Sequence, residues 1–164
     1  MIKFIPILLI LSVQNNSLAK AQCGCPSIEQ RQFDFWVGNW NVFDSVGTQI
    51  GENEITLIQD SCVLQENWKS KNATGTSYNY FDKQSSKWHQ LWVDNSGGSL
   101  KLSGSFNEGK MVLISDLTKG IKIDFYFNQI TWYQNADGSV VQQWDILDKD
   151  KKLLKTVFKG IYRR

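Results

Sequence analysis

Glu66 is the residue best placed to do chemistry. It stands in Cys62-Val63-Leu64-Gln65-Glu66-Asn67-Trp68. If that segment is a strand, alternation puts Cys62, Leu64, Glu66 and Trp68 on one face and Val63, Gln65, Asn67 and Lys69 on the other. The first face carries the large apolar groups, so it is expected to point inward and to take Glu66 with it. A carboxyl group enclosed by apolar side chains has its pKa raised towards neutrality and can serve as a general acid or base. Asp94 shares a face with Gln90 near a turn. Together with Glu66 it has the composition of a glycosidase-like pair, but spacing along the chain does not set the separation such chemistry needs. His89 is the only histidine. It has the opposite parity to Trp88 and Trp92, which argues against a Ser-His-Asp triad and against histidine-ligated haem. The scattered acids form no transition-metal constellation, so neither a metal nor a cofactor is expected. Gly97-Gly98 and Ser103-Gly104-Ser105 precede no helix and are not phosphate loops.

The same alternation defines a binding set. Trp88, Gln90, Trp92 and Asp94 share a face, as do Val140, Gln142 and Trp144; Ser77 and Asn79 are placed inward on a neighbouring strand. The inward residues are then Trp68, Trp88, Trp92 and Trp144 with Glu66, Asn79, Gln90 and Gln142. Indole walls carrying a few amides suit a planar or polar-headed ligand. The alternative is a self-satisfied network in which Glu66 accepts from Gln90 and Gln142, because an unpaired buried polar group costs roughly 1–3 kcal/mol. A shift of one residue in register would turn Glu66 outward and remove both.

The elements that must position these residues are almost all strands. Pro26-Ser27 with Gln30 fits a capping box, so Ile28 to about Trp36 is read as a short helix or 3₁₀ turn ended by Gly38. Beyond it the chain alternates. Strands are predicted from Trp40 to Phe43, Gln49 to Gln59, Cys62 to Lys69, Thr74 to Phe81, Lys87 to Asp94, Ser99 to Phe106, Lys110 to Leu117, Ile121 to Gln134, Ser139 to Leu147 and Leu153 to Tyr162. Turn residues separate them, no crossover helix intervenes and no proline follows Pro26. The fold class is therefore all-β: a single antiparallel meander barrel of about ten strands with a short N-terminal helix, a β-sandwich being the alternative.

Lys3, the apolar run Phe4 to Val13 and Ala19-Lys20-Ala21 read as a secretory signal peptide over residues 1–21, leaving a barrel domain over 22–164. The run is too short for an ordinary membrane-spanning helix, so no stable anchor is expected. Lys3 and Lys20 leave with the peptide, and basic residues fall from 18 to 16 against 16 acidic ones. A near-neutral surface without a basic cluster argues against nucleic acid. The predicted location is the periplasm or the medium. Cys23 and Cys25 lie too close together to bridge without strain, so any disulfide runs to Cys62. Cys25–Cys62 is favoured, worth about 3 kcal/mol in the chain-entropy model; a Cys23 partner and three free thiols stay open.

Gly38-Asn39-Trp40 after a helical turn resembles the Gly-x-Trp opening of the lipocalin-like calycins. In those barrels the Trp plugs one end and an Arg from the last strand lies across it. The resemblance implies these structural roles for Trp40 and, in the terminal Tyr162-Arg163-Arg164, for Arg163. A closer resemblance spans the chain from Arg31 onwards. Arg31-Gln32-Phe33-Asp34-Phe35-Trp36, Cys62-Val63-Leu64-Gln65-Glu66-Asn67-Trp68, Lys87-Trp88-His89-Gln90-Leu91-Trp92-Val93-Asp94, Gln142-Gln143-Trp144 and the Tyr-Arg-Arg end are similar to a family of exported bacterial proteins classed as a domain of unknown function. Its members often join a cysteine before the opening to one in the third strand, which implies the Cys25–Cys62 bridge. The functional expectation is an exported barrel that binds a small hydrophobic or amphipathic molecule. The alternatives are an enzyme using Glu66 on a small substrate and an interaction module with a filled interior. Nothing in the chain specifies its oligomeric state.

Overall fold

The computed structural model describes residues 24–164 apart from residue 122; the expected signal peptide and Cys23 lie outside the described residues. The chain enters through helix α1 (Ile28–Arg31) and a 3₁₀ turn (Asp34–Trp36). Ser27 and Gln30 form the expected capping box, each side chain accepting from the other's backbone N–H. Strands follow as β1 (Gly38–Phe43), β2 (Gln49–Ile58), β3 (Val63–Ser70), β4 (Thr74–Asp82), β5 (Lys87–Asp94), β6 (Ser99–Asn107), β7 (Lys110–Ile114), β8 (Thr118–Lys119), β9 (Phe125–Gln134), β10 (Val140–Leu147) and β11 (Leu153–Arg163).

Ten of these strands close into an antiparallel barrel, each paired with the next and β11 returning to β1. The all-β meander expected from alternation is the observed fold. Only β8 stands apart from the ring, pairing with β9 alone through Thr118–Tyr126 and Lys119–Phe125. The one segment drawn differently lies here. The strands predicted as Lys110 to Leu117 and Ile121 to Gln134 are shorter, because Ser115 closes onto Asn128 in both directions and Gly120 turns the chain back to Ile123 and Asp124. The expected break at Thr118–Gly120 holds the short β8, and alternation carries both flanking strands up to it because Leu117 and Ile121 are apolar.

Because the strands run up and down, the turns fall into two groups. Turns after β2, β4, β6 and β9 lie at the end where the N-terminal segment packs. Those after β1, β3, β5, β7 and β10 lie at the other end. At the first end Phe33 and Trp36 enter the barrel and are fully buried. Phe33 stacks on Trp36 at 5.0 Å between centroids and meets Trp88 and Trp132 edge-on at 5.6 and 5.2 Å. Met111, Leu113, Ile130 and Val140 complete this core. Trp40 is buried beside it, its indole N–H donating to the Trp36 carbonyl at 2.8 Å.

The plug is tied down by a disulfide between Cys25 and Cys62, whose sulfurs are 2.06 Å apart. The bridge sits against the corner Gln59-Asp60-Ser61, where three consecutive residues adopt φ of 51°, 51° and 68°. Left-handed backbone at non-glycine residues is unfavourable, and the corner is held by several bonds. Gly24 N–H donates to the Asp60 carbonyl at 3.1 Å, and the Arg31 guanidinium donates to the Ser61 carbonyl.

The terminal arginines exchange the expected role. Arg164, not Arg163, lies over the Trp40 ring, 4.7 Å from its centroid, and donates to the Val37 carbonyl at 3.1 Å. Arg163 pairs with Asn41 and sits over Phe43 at 5.3 Å, exposed. Parity is the reason: Tyr162 points inward, so Arg163 must point out. Among the described residues no helix is long and apolar enough to cross a membrane.

Candidate functional site

Beyond the aromatic core the barrel is not filled. A cavity of about 450 Å³ opens towards the turns after β3 and β5, with Ala73 and Gly98 on its edge. Six of the eight residues predicted to face a ligand lie on its wall: Glu66, Trp68, Gln90, Trp92, Gln142 and Trp144. Leu100, Ile130 and Phe158 add apolar surface; Tyr126, Asn128 and Tyr162 add polar groups.

Asn79 and Trp88 do not line the cavity. Both point inward as expected, but alternation specifies a face of the sheet and not a height along the barrel. Trp88, near the start of β5, lies in the plug; its indole N–H reaches the Glu29 carbonyl at 3.2 Å and Gln32 Oε1 at 3.3 Å. Asn79 is fully buried beneath the cavity, bonded to the Leu64 carbonyl and Ser77.

Glu66 is 3 % exposed. Its donors are not the predicted Gln90 and Gln142 but Asn53, whose Nδ2 lies 2.7 Å from Oε1, and Ser77, whose hydroxyl lies 2.6 Å from Oε2. Register explains this. Ser77 is directly opposite Glu66 across β3–β4, and Asn53 on β2 is one pleat step away on the same face, opposite Trp68. The Ser77 oxygen accepts from Asn79 at 2.9 Å and from Gln90 at 3.4 Å, which leaves its single proton to Glu66. Gln90 also donates to Asn79 Oδ1 at 2.9 Å. On the other side Asn53 contacts the Tyr162 hydroxyl at 3.4 Å, and that hydroxyl donates to Gln142 Oε1. A polar layer thus crosses the barrel from Gln90 to Gln142 with the carboxyl group at its middle.

Burial drives the Glu66 pKa from 4.5 up to about 7, against the opposing pull of the Ser77 and Asn53 hydrogen bonds. Burial, reinforced by the neighbouring Glu66 charge, also raises Tyr162 well above the usual phenol range. Asp94 is different: Ser96 and Gly98 donate to it and hold its pKa down. It caps the turn at the cavity edge, where Oδ1 accepts from the Ser96 N–H and hydroxyl and from the Gly98 N–H, and its lowered pKa does not suit it to be a second acid. His89 lies on the outer face, stacked on Tyr80 at 5.4 Å, with Nε2 3.2 Å from Ser85.

Several groups that turn to the cavity keep unused hydrogen-bonding capacity. Gln90 Oε1 has no partner among the described residues, nor do the Nε2 of Gln142 and the Nδ2 of Asn128, although each of these three side chains is anchored through its other end. Two indoles are also seated in advance. The Trp92 ring covers Gly75 so closely that a Cβ there would lie 2.1 Å from it, and Trp68 covers Gly51 with a corresponding distance of 2.5 Å. Glycine is required at both positions if the rings are to lie on the wall.

Asn53, Tyr126, Asn128, Phe158 and Tyr162 belong to this site without having been predicted. Asn53 shares a parity with Ile55 and Leu57, and Asn128 with Ile130 and Trp132, so alternation on β2 and β9 carried the signal. Among the described residues no group of three or more His, Cys, Asp or Glu is arranged to hold a metal ion. No known family model and no curated protein matches this chain.

Proposed function

We propose that the protein is an exported carrier or sensor that binds a small hydrophobic or amphipathic molecule inside the barrel. One observation carries this reading: a cavity of about 450 Å³ whose wall is indole and whose floor ends in polar groups with unused hydrogen-bonding capacity. That volume falls in the range of ordinary small-molecule sites, about 300–1,000 Å³. A core built only for stability would fill the space with aliphatic side chains and would not leave amides half-paired. Export is supported by the disulfide, since such bonds persist in oxidising compartments. The resemblance to an exported domain of unknown function points the same way. Native mass spectrometry of the protein purified from its producing cells tests the binding reading. A retained molecule of a few hundred daltons, displaced on unfolding, is expected. A bare protein mass, together with intrinsic fluorescence unmoved by a panel of apolar and amphipathic probes, would overturn it.

A second reading rests on Glu66 alone. A carboxyl group that shares its proton with solvent near neutral pH, at the edge of a cavity, is equipped for general acid–base catalysis on whatever occupies that cavity. Glu66→Gln should then abolish turnover of any substrate found while the barrel stays folded; undiminished turnover removes this reading.

A further inference from the structure

The charge of the cavity is as informative as its volume. Glu66 and Asp94 are the acids that line it, and no lysine, arginine or histidine does so among the described residues. A ligand with a carboxylate or phosphate head would find no cationic partner there. It would also face the Glu66 carboxylate in a low-dielectric enclosure, where like charges repel most strongly. An ammonium head meets the opposite situation. The carboxyl group of Glu66 and the unpaired Gln90 Oε1 are acceptors for its N–H groups. Trp68, Trp92 and Trp144 line the same space, and an indole attracts a cation that settles over its ring. The N–H groups left free on Gln142 and Asn128 serve a hydroxyl or carbonyl oxygen on the ligand body.

Resting on the binding reading, we infer that the ligand class is the amphiphilic cation: an apolar body carrying a protonated amine, seated with its head at Glu66 and its body against the indoles. Fatty acids and other anionic amphiphiles are selected against. The polar layer beneath Glu66 supports this orientation. Asn53 and Ser77 hold the carboxyl group by one bond to each oxygen, which leaves a lone pair on each for a donor from the cavity. Binding an ammonium group favours the charged carboxylate, so at mildly acidic pH complex formation expels a proton from Glu66. The other titratable groups on the wall are Asp94, which is held ionised by its turn, Tyr126, and Tyr162, which stays protonated.

The test uses three probes with one chain and three heads: decylamine, decanol and sodium decanoate, each titrated below its micelle concentration and followed by tryptophan fluorescence and calorimetry. At pH 8 the amine should bind at least about tenfold more tightly than the alcohol, and the decanoate most weakly, as a net charge–charge preference requires. Glu66→Gln should bring the amine-to-alcohol affinity ratio at pH 8 down to about one. If that variant fails to fold, the wild-type protein still decides the matter, because the amine-to-alcohol ratio must fall towards one between pH 8 and pH 5 as Glu66 takes up its proton. Decanoate binding as tightly as decylamine, or a ratio indifferent to pH, overturns the cationic selectivity while leaving the binding function intact. If none of the three binds and native mass spectrometry finds no retained molecule, both fail together.

Discussion

The two halves of this barrel use tryptophan in opposite ways. At the plugged end Trp36, Trp88 and Trp132 are 0–1 % exposed and pack against Phe33, so that rings cover rings. At the open end Trp68, Trp92 and Trp144 are only partly buried and face empty volume. The strands are continuous through both halves, so secondary structure does not make the difference. Two things do. The N-terminal segment supplies Phe33 and Trp36 to one end, and nothing corresponding enters the other among the described residues. Between the halves lies the layer from Gln90 through Glu66 to Gln142, which an apolar filler could not cover without stranding its polar groups. The plugged half is where the chain is stabilised; the open half is where packing energy is forgone and surface is left for a ligand.

Four measurements would sharpen or break that contrast. The largest effect is expected from Trp36→Ala, which empties the centre of the plug and should cost about 3–5 kcal/mol in denaturant unfolding. If the same replacement at Trp92 costs as much, the halves are not distinct and the contrast fails. Cys25→Ser should cost about 3 kcal/mol, since it frees a loop of 37 residues in the unfolded chain and releases the plug from the Gln59–Ser61 corner. A loss well under 1 kcal/mol would mean that aromatic packing alone holds the plug.

The third effect is a pH dependence centred on the polar layer. The Glu66 pKa is higher folded, about 7, than its ordinary 4.5, so the folded state binds the extra proton. The corresponding stability is present in full below about pH 4.5 and is lost as pH rises through about 7. Stability should therefore fall by up to about 3 kcal/mol between pH 4.5 and pH 8, and Glu66→Gln should flatten that slope. A wild-type profile as flat as the variant's would place the carboxyl group in water. The smallest effect on stability belongs to Trp144→Leu, about 1 kcal/mol or less, because the ring is only partly buried and lies on the cavity wall. The same change should weaken binding of an apolar probe about tenfold, so that stability and affinity respond separately.

Much of this arrangement was legible from parity. Leu64 and Trp68 bracket Glu66, and strict alternation carried Gln90, Trp92, Gln142 and Trp144 inward with it. Parity is silent on height, so alternation alone groups Trp88 with the pocket although it packs in the plug. It is silent also on partners: that Asn53 and Ser77, not the glutamines, hold Glu66 follows from the β2–β3–β4 register, which no single segment encodes. The Arg163 assignment was recoverable, since an inward Tyr162 excludes it. The break around Gly120 is legible too, but not the early end of β7 or the late start of β9, because Leu117, Ile121 and Ile123 continue the apolar pattern of the two strands.

The glycines beneath the indoles carry a further consequence. With the rings of Trp92 and Trp68 lying where side chains of residues 75 and 51 would otherwise be, the bore of the lumen is set by two positions that contribute no atoms to it. A single methyl at either would tip its ring into the passage, narrowing the entrance without altering any residue that touches the occupant. The calibre of this vessel, and hence the girth of what it admits, can therefore drift while every contact residue stays the same.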